Sequence, residues 1–231
     1  VGACAAAVAS AQCTTQWQAG APLPGVNGTV YASTLWDPDG AGPSTPKLVV
    51  GGAFTVACGV SARNIAAYDP TTGVWSAFGV FGSDLNSTVQ SVLALPNGDL
   101  IAGGDFRPGA QGGGNSPSYI ARWNGVAWVS LGSGMNGAVA ALALRPNGDV
   151  VAGGQFTTAG GTGVGRIALW NGTSWASLGA GVNGVVSKML QRSNGSLVVG
   201  GAFSQAGGQA MANVAQWTGS GWSALGSGVS G

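Results

Sequence analysis

Seven aspartates, Asp37, Asp39, Asp69, Asp84, Asp99, Asp105 and Asp149, are the only acidic side chains of the 231-residue chain, which has neither glutamate nor histidine. Two carboxylates at a set separation can cleave a glycosidic bond, one as acid and the other as base or nucleophile. Asp99 and Asp149 do not read that way. They occupy the same turn position in successive copies of a repeat, and Ser196 takes that position in the next copy, so turn chemistry explains them. Without histidine there is no Ser-His-Asp or Cys-His nucleophile, and without glutamate the usual acid–base partners are scarce. No Gly-Lys-Ser/Thr phosphate loop occurs. Asp37-Pro38-Asp39-Gly40 offers two carboxylates, whereas calcium asks for about six or more oxygens; the segment reads as an elongated turn. No enzymatic activity, catalytic residue, metal or cofactor is expected.

Binding is the chemistry these residue types suit better. Arg107, Gln111, Asn115 and Tyr119 fall in the longest loop of the repeat and are candidate ligand contacts. Asn27, Asn86, Asn136 and Asn183 recur one per repeat. They are either amide ligands for a sugar or peptide, or groups that satisfy their own turn backbone, and their recurrence with the repeat favours the second. Six of the nine tryptophans form the pairs Trp123/Trp128, Trp170/Trp175 and Trp217/Trp222, each flanking a tight turn. Cross-strand packing is the natural role of such pairs. Three cysteines, Cys4, Cys13 and Cys58, match no zinc spacing. One disulfide with a spare thiol is expected in an oxidising compartment, with Cys4–Cys58 the expected pair.

Charged residues are 6% of the chain and the net charge is +1, against roughly 25% charged in ordinary soluble proteins. That excludes a basic footprint for nucleic acid and favours association over mutual repulsion. No apolar run reaches the ~18 residues of a membrane span. Ala9-Ser10-Ala11 gives the small-x-small pattern of a signal-peptide cleavage site, and export to the outside or to the cell surface is expected.

What positions these residues is a repeat. Gly-Gly-x-Phe ends at Phe54, Phe106, Phe156 and Phe203, at intervals of 52, 50 and 47 residues. Each unit holds four short apolar runs, A to D. Examples are Val89–Leu95 or Val139–Leu144 for A, and Leu100–Phe106 or Val150–Phe156 for B. Run C is Tyr119–Trp123 or Ile167–Trp170, and run D is Trp128–Leu131 or Trp175–Leu178. Runs of this length, rich in Val, Ile, Phe and Trp and bounded by Gly, Pro, Asn and Asp, are strands. Asn97-Gly98, Asn147-Gly148 and Asn194-Gly195 join A to B, and Asn124-Gly125 and Asn171-Gly172 join C to D. Asn-Gly is expected to supply two positive-φ residues to a tight hairpin. Four antiparallel meanders at this period give an all-β fold, a β-propeller of four-stranded blades.

Leu100-Ile-Ala-Gly-Gly-Asp-Phe106, Ile120-Ala-Arg-Trp-Asn-Gly125 and Ser174-Trp-Ala-Ser-Leu-Gly179 resemble the kelch-like repeats of secreted and cell-surface bacterial propellers. The resemblance runs from about Gln16 onward and implies architecture rather than activity. Residues 1–20 read as a segment with a signal-like start and an extra outer strand around Trp17. Residues 21–82, 83–132 and 133–179 are blades 1 to 3, and 180–231 hold blade 4 and the start of a further repeat. The unmatched Trp17 strand has three readings: a piece of a larger ring, which ranks first; pairing with another copy, which ranks second; or a four-bladed ring with a spare edge. The function expected is that of a non-enzymatic structural or assembly module of a cell surface or fibre. The alternative is a carbohydrate- or protein-binding propeller that uses the long B–C loops. The partners expected are a further copy of the chain, a glycan or a protein, with no nucleic acid and no membrane span.

Overall fold

The computed structural model describes residues 25–78, 87–106 and 118–226. The chain is a β-propeller. Its described elements are strands, and four sheets of four antiparallel strands follow one another, each in the order A-B-C-D. Blade 1 comprises Thr29–Trp36, Lys47–Ala53, Ile65–Asp69 and Val74–Ala77. Blade 2 comprises Val89–Ala94, Leu100–Gly104, Ile120–Trp123 and Trp128–Ser130. Blade 3 comprises Val139–Leu144, Val150–Gly154, Ile167–Trp170 and Trp175–Ser177. Blade 4 comprises Val185–Gln191, Leu197–Ala202, Val214–Trp217 and Trp222–Ala224.

The A–B hairpins close differently from the two-residue turn expected. At Leu95–Asp99 the Gly98 N–H donates to the Leu95 carbonyl (3.1 Å) and the Leu95 N–H to the Asp99 carbonyl (2.9 Å). Gly98 has φ +86°, while Asn97 is not in the left-handed region. This is a type I turn followed by a left-handed glycine, so one positive-φ residue suffices, not two. Asn97 instead uses its side chain, whose Oδ1 accepts from the Asp99 N–H and whose Nδ2 donates to Asp99 Oδ2.

The core lies between blades. Phe106 sits in the cluster that joins blades 1 and 2, Phe156 in that of blades 2 and 3, and Phe203 in that of blades 3 and 4. The two glycines before each Phe have separate reasons. A Cβ on the first would strike a valine of the next blade: Gly51 faces Val89, Gly103 faces Val139 and Gly153 faces Val186, at 2.5–2.6 Å. A Cβ on the second would overlap a backbone carbonyl of its own A strand or of the residue just before it, as at Gly104 with Thr88 and Gly154 with Ala138. Tryptophans add directional links. Trp175 Nε1 donates to the Leu131 carbonyl (2.9 Å) and Trp222 Nε1 to the Leu178 carbonyl (3.1 Å), each bond reaching the preceding blade. Trp175→Phe keeps most of the ring but removes this link, leaving the Leu131 carbonyl the Gly134 N–H as donor (3.2 Å). The lost bond is expected to lower stability by about 0.5–1.5 kcal/mol, read as a lower urea midpoint at unchanged slope.

The B–C connections were expected to be loops. In blades 1, 3 and 4 each instead holds a miniature hairpin: Val56–Ala57 with Val60–Ser61, Thr158–Ala159 with Thr162–Gly163, and Gln205–Ala206 with Gln209–Ala210. The residue that enters the C strand is left-handed in all four blades: Asn64, Tyr119, Arg166 and Asn213, with φ between 59° and 65°.

Candidate functional site

Every A strand carries a β-bulge near its start, and the register skips Tyr31, Gln90, Ala140 and Ser187. A bulge re-aims the extra side chain. All four residues line one cavity of about 440 Å³, together with Thr88, Asp105, Gln155, Val185 and Lys188. A strands of successive blades pack against one another, so the cavity lies along the axis around which the blades turn. Asp105 and Gln155 are the variable residue of Gly-Gly-x-Phe. Gln90 Nε2 donates to Asp105 Oδ2 at 2.7 Å. The ion pairs formed among the described residues are Lys47–Asp69 (3.6 Å) and Arg122–Asp99 (3.7 Å). Asp105 and Lys188 therefore face the cavity with opposite charges that no ion pair among the described residues neutralises. A second cavity of about 190 Å³ lies on the short-turn face between blades 2 and 3, where Asp99, Arg122, Asp149 and Trp170 meet.

The asparagine ring is tied into the fold. Asn136 Oδ1 accepts from the N–H groups of Thr157 (2.8 Å) and Thr158 (2.9 Å), and its Nδ2 donates to Thr157 Oγ1 (2.9 Å). Asn27 makes the same three bonds to Thr55 and Val56, and Asn183 to Ser204 and Gln205. Each asparagine clasps the open end of its own A–B hairpin to the B–C miniature hairpin. Asn136→Ala removes all three bonds and is expected to cost about 1–3 kcal/mol in urea unfolding.

Tyr119 is 8% exposed and packs in the cluster between blades 2 and 3. Its N–H donates to the Phe106 carbonyl (2.9 Å), and its own carbonyl accepts from Gly104 (3.0 Å). Its ring thus belongs to the core and not to the loop surface. Arg107, Gln111, Asn115, Asn86 and Cys4, like the Trp17 strand, lie outside the described residues. Asp37 and Asp39 fall in the A–B connection of blade 1, as the elongated-turn reading expects. A hydrogen bond between their carboxyls holds Asp37 above the ordinary carboxylate range and Asp39 below it, the latter helped by Ser44. Among the described residues no group of three or more cysteine or acidic side chains is placed to hold a metal.

The ends of the blade series offer a second kind of surface. Blade 1 presents Val30 (44% exposed) and Leu35 (70%) on the side away from blade 2, and blade 4 presents Leu190 (64%) on the side away from blade 3. The counterparts of Val30 in the other blades, Val89, Val139 and Val186, are fully buried. Among the described residues, the A strands of blades 4 and 1 do not pack together as successive A strands do.

The comparisons bear on architecture. The family model for the Rax2 C-terminal beta propeller domain matches residues 121–228. No curated protein matches the chain. The extracellular domain of a hybrid two-component system from B. thetaiotaomicron is similar at 14% identity and a TM-score of 0.47, covering 77% of this chain and 21% of its own. A second structure of an extracellular domain from that organism gives 13% identity and 0.48, over 76% and 20%. The WD40 beta propeller domain of Doa1 gives 17% identity and 0.46, over 78% and 52%. The chain thus spans between about a fifth and a half of the length of these structures.

Proposed function

We propose that this chain is a non-enzymatic extracellular β-propeller that serves as a structural and assembly module of a cell surface or a fibre. The observation that carries the reading is the exposure, among the described residues, of large apolar side chains on A strands, Val30 and Leu35 in blade 1 and Leu190 in blade 4. Apolar surface grouped in this way marks association sites, and a chain with 6% charged residues has little charge repulsion to oppose contact. The reading includes an oxidising compartment, in which Cys58 pairs with Cys4. The absence of histidine and glutamate from the whole sequence supports a non-catalytic role, and the kelch-like repeat motifs agree with a surface protein. Light scattering and electron microscopy of the purified chain test the reading. Concentration-dependent particles larger than the 22.4 kDa chain support it, and a strict monomer at every concentration sinks it.

A second reading, recognition of a small polar ligand such as a glycan or a peptide end, is favoured by one observation: Asp105 and Lys188 face the same cavity without an ion-pair partner among the described residues. Glycan-array and peptide-library binding that disappears in both Asp105→Asn and Lys188→Gln supports it. Binding indifferent to both substitutions removes the cavity from consideration.

A further inference from the structure

The cavity of about 190 Å³ on the short-turn face holds an unbalanced charge. Two carboxylates, Asp99 and Asp149, and one guanidinium, Arg122, line it. Arg122 is committed to Asp99: its Nε lies 3.7 Å from Asp99 Oδ2. Among the described residues no ion pair reaches Asp149.

Comparison of the two blades locates the difference. Asp99 and Asp149 hold the same turn position, and the Oδ2 of each accepts from the Nδ2 of the asparagine two residues earlier, at 2.9 Å from Asn97 and 2.7 Å from Asn147. In blade 2 the residue that pairs with Ile101 is Arg122. At the same register in blade 3 the partner of Val151 is Leu169. Blade 3 thus repeats the carboxylate without its cation. The rest of the cavity wall includes Leu95, Leu131, Val150 and the half-buried ring of Trp170, which rests on Trp175 with ring centroids 5.2 Å apart.

From this we infer that the cavity between blades 2 and 3 binds a primary ammonium carried on an aliphatic stem, the lysine side chain of a partner protein, with the ammonium on Asp149 and the stem along the apolar wall. The site is separate from the axial cavity, and the inference depends on neither reading above. Each part of the ligand follows from the lining. An excess of one negative charge among the lining residues asks for one positive charge. Asp149 Oδ2 is already bonded by Asn147, which suits a compact ammonium better than a guanidinium that takes both oxygens side by side. A lysine stem lies along apolar surface while its head stays near water, and an indole in the wall attracts a cation. A sugar ring would instead press hydroxyls against Leu95, Leu131 and Val150, whose side chains offer them no hydrogen bond.

The test uses the full chain and follows the indole N–H resonance of Trp170 in proton–nitrogen correlation spectra, assigned by its loss in Trp170→Phe. The probe is Nα-acetyl-lysine amide. Nα-acetyl-norleucine amide keeps the stem without the charge, Nα-acetyl-arginine amide changes the cation, and glucosamine carries the ammonium on a sugar ring. The expected result is a saturable shift with the lysine probe and binding of the other three that is weaker by about two- to fivefold or more. Asp149→Asn removes the charge, and Leu169→Arg supplies the internal cation that blade 2 already has; each is expected to weaken the lysine probe by the same factor. Asp149 lies in a turn, so Asp149→Asn should keep the native urea midpoint and decides the matter alone if Leu169→Arg does not fold. No saturable shift with the lysine probe overturns the inference, as does binding unchanged in Asp149→Asn. Norleucine amide binding as well as lysine amide would make the site merely apolar, and glucosamine or arginine amide binding more tightly would make the ligand class wrong.

Discussion

Gly154→Ala is expected to be among the most damaging single-methyl changes at the described residues, with a loss above about 3 kcal/mol. The added Cβ would overlap the carbonyl oxygen of Ala138 and stand 3.0 Å from both the Ala138 carbonyl carbon and the Val139 Cα. These are backbone atoms of the same blade at the bulge, and they are not free to retreat. The Ala138 oxygen accepts from the Gln155 N–H (2.9 Å), and the Gly154 N–H donates to the Arg166 carbonyl (3.0 Å). Moving either strand breaks a buried ladder bond. Gly153→Ala, one residue earlier, is the comparison. Its Cβ meets Val186 Cγ1 at 2.5 Å and Met189 Sδ at 3.3 Å, side-chain atoms that can shift at a cost of about 1–3 kcal/mol. Urea unfolding of the two variants measures the difference. Equal losses, or the reverse order, would show that the blade interface is tighter than the bulge.

Phe156→Ala is expected to cost about 3–5 kcal/mol. The ring is fully buried among Met135, Val139, Ala159 and Trp175. Its loss empties the joint between blades 2 and 3, where close-packed neighbours cannot collapse to fill the space. Val126→Ala, at a residue 81% exposed in a C–D turn, should stay within about 0.5 kcal/mol. A loss at Phe156 no larger than at Val126 would mean that blades 2 and 3 are held by their backbones and tryptophan bonds alone.

Much of this architecture could be read from the residues because each strand is short, apolar and fenced by turn residues. Val139–Leu144 and Ile167–Trp170 are strands over the whole of their expected runs, and the others differ by a residue or two at their ends. The miniature hairpins escaped notice because two-residue strands such as Thr158–Ala159 carry no alternation to detect. What holds them is an asparagine more than twenty residues away. The bulges were hidden for a related reason: the inserted residue is Tyr, Gln, Ala or Ser, so no residue type marks the position. With no residue type to mark the bulge, the residues that line the axial cavity are not legible in the sequence, and the candidates it offers are the long B–C loop and the asparagine series before run A. Tyr119 looked like a loop residue because it borders a glycine-rich stretch, yet its left-handed backbone turns the chain so that the ring enters the core.

The bulges separate two duties within one strand. Valines such as Val89 and Val139 lock blade to blade, while the skipped residue beside each is released from the ladder register and from that packing. Together with Asp105 and Gln155, the variable residues of Gly-Gly-x-Phe in blades 2 and 3, this gives those blades two positions at the axis where mutation meets little structural resistance. Duplicating a blade therefore copies a finished scaffold with two blank sites. Divergence at those sites can rewrite the lining of the axis while the interlock that holds the blades is inherited unchanged.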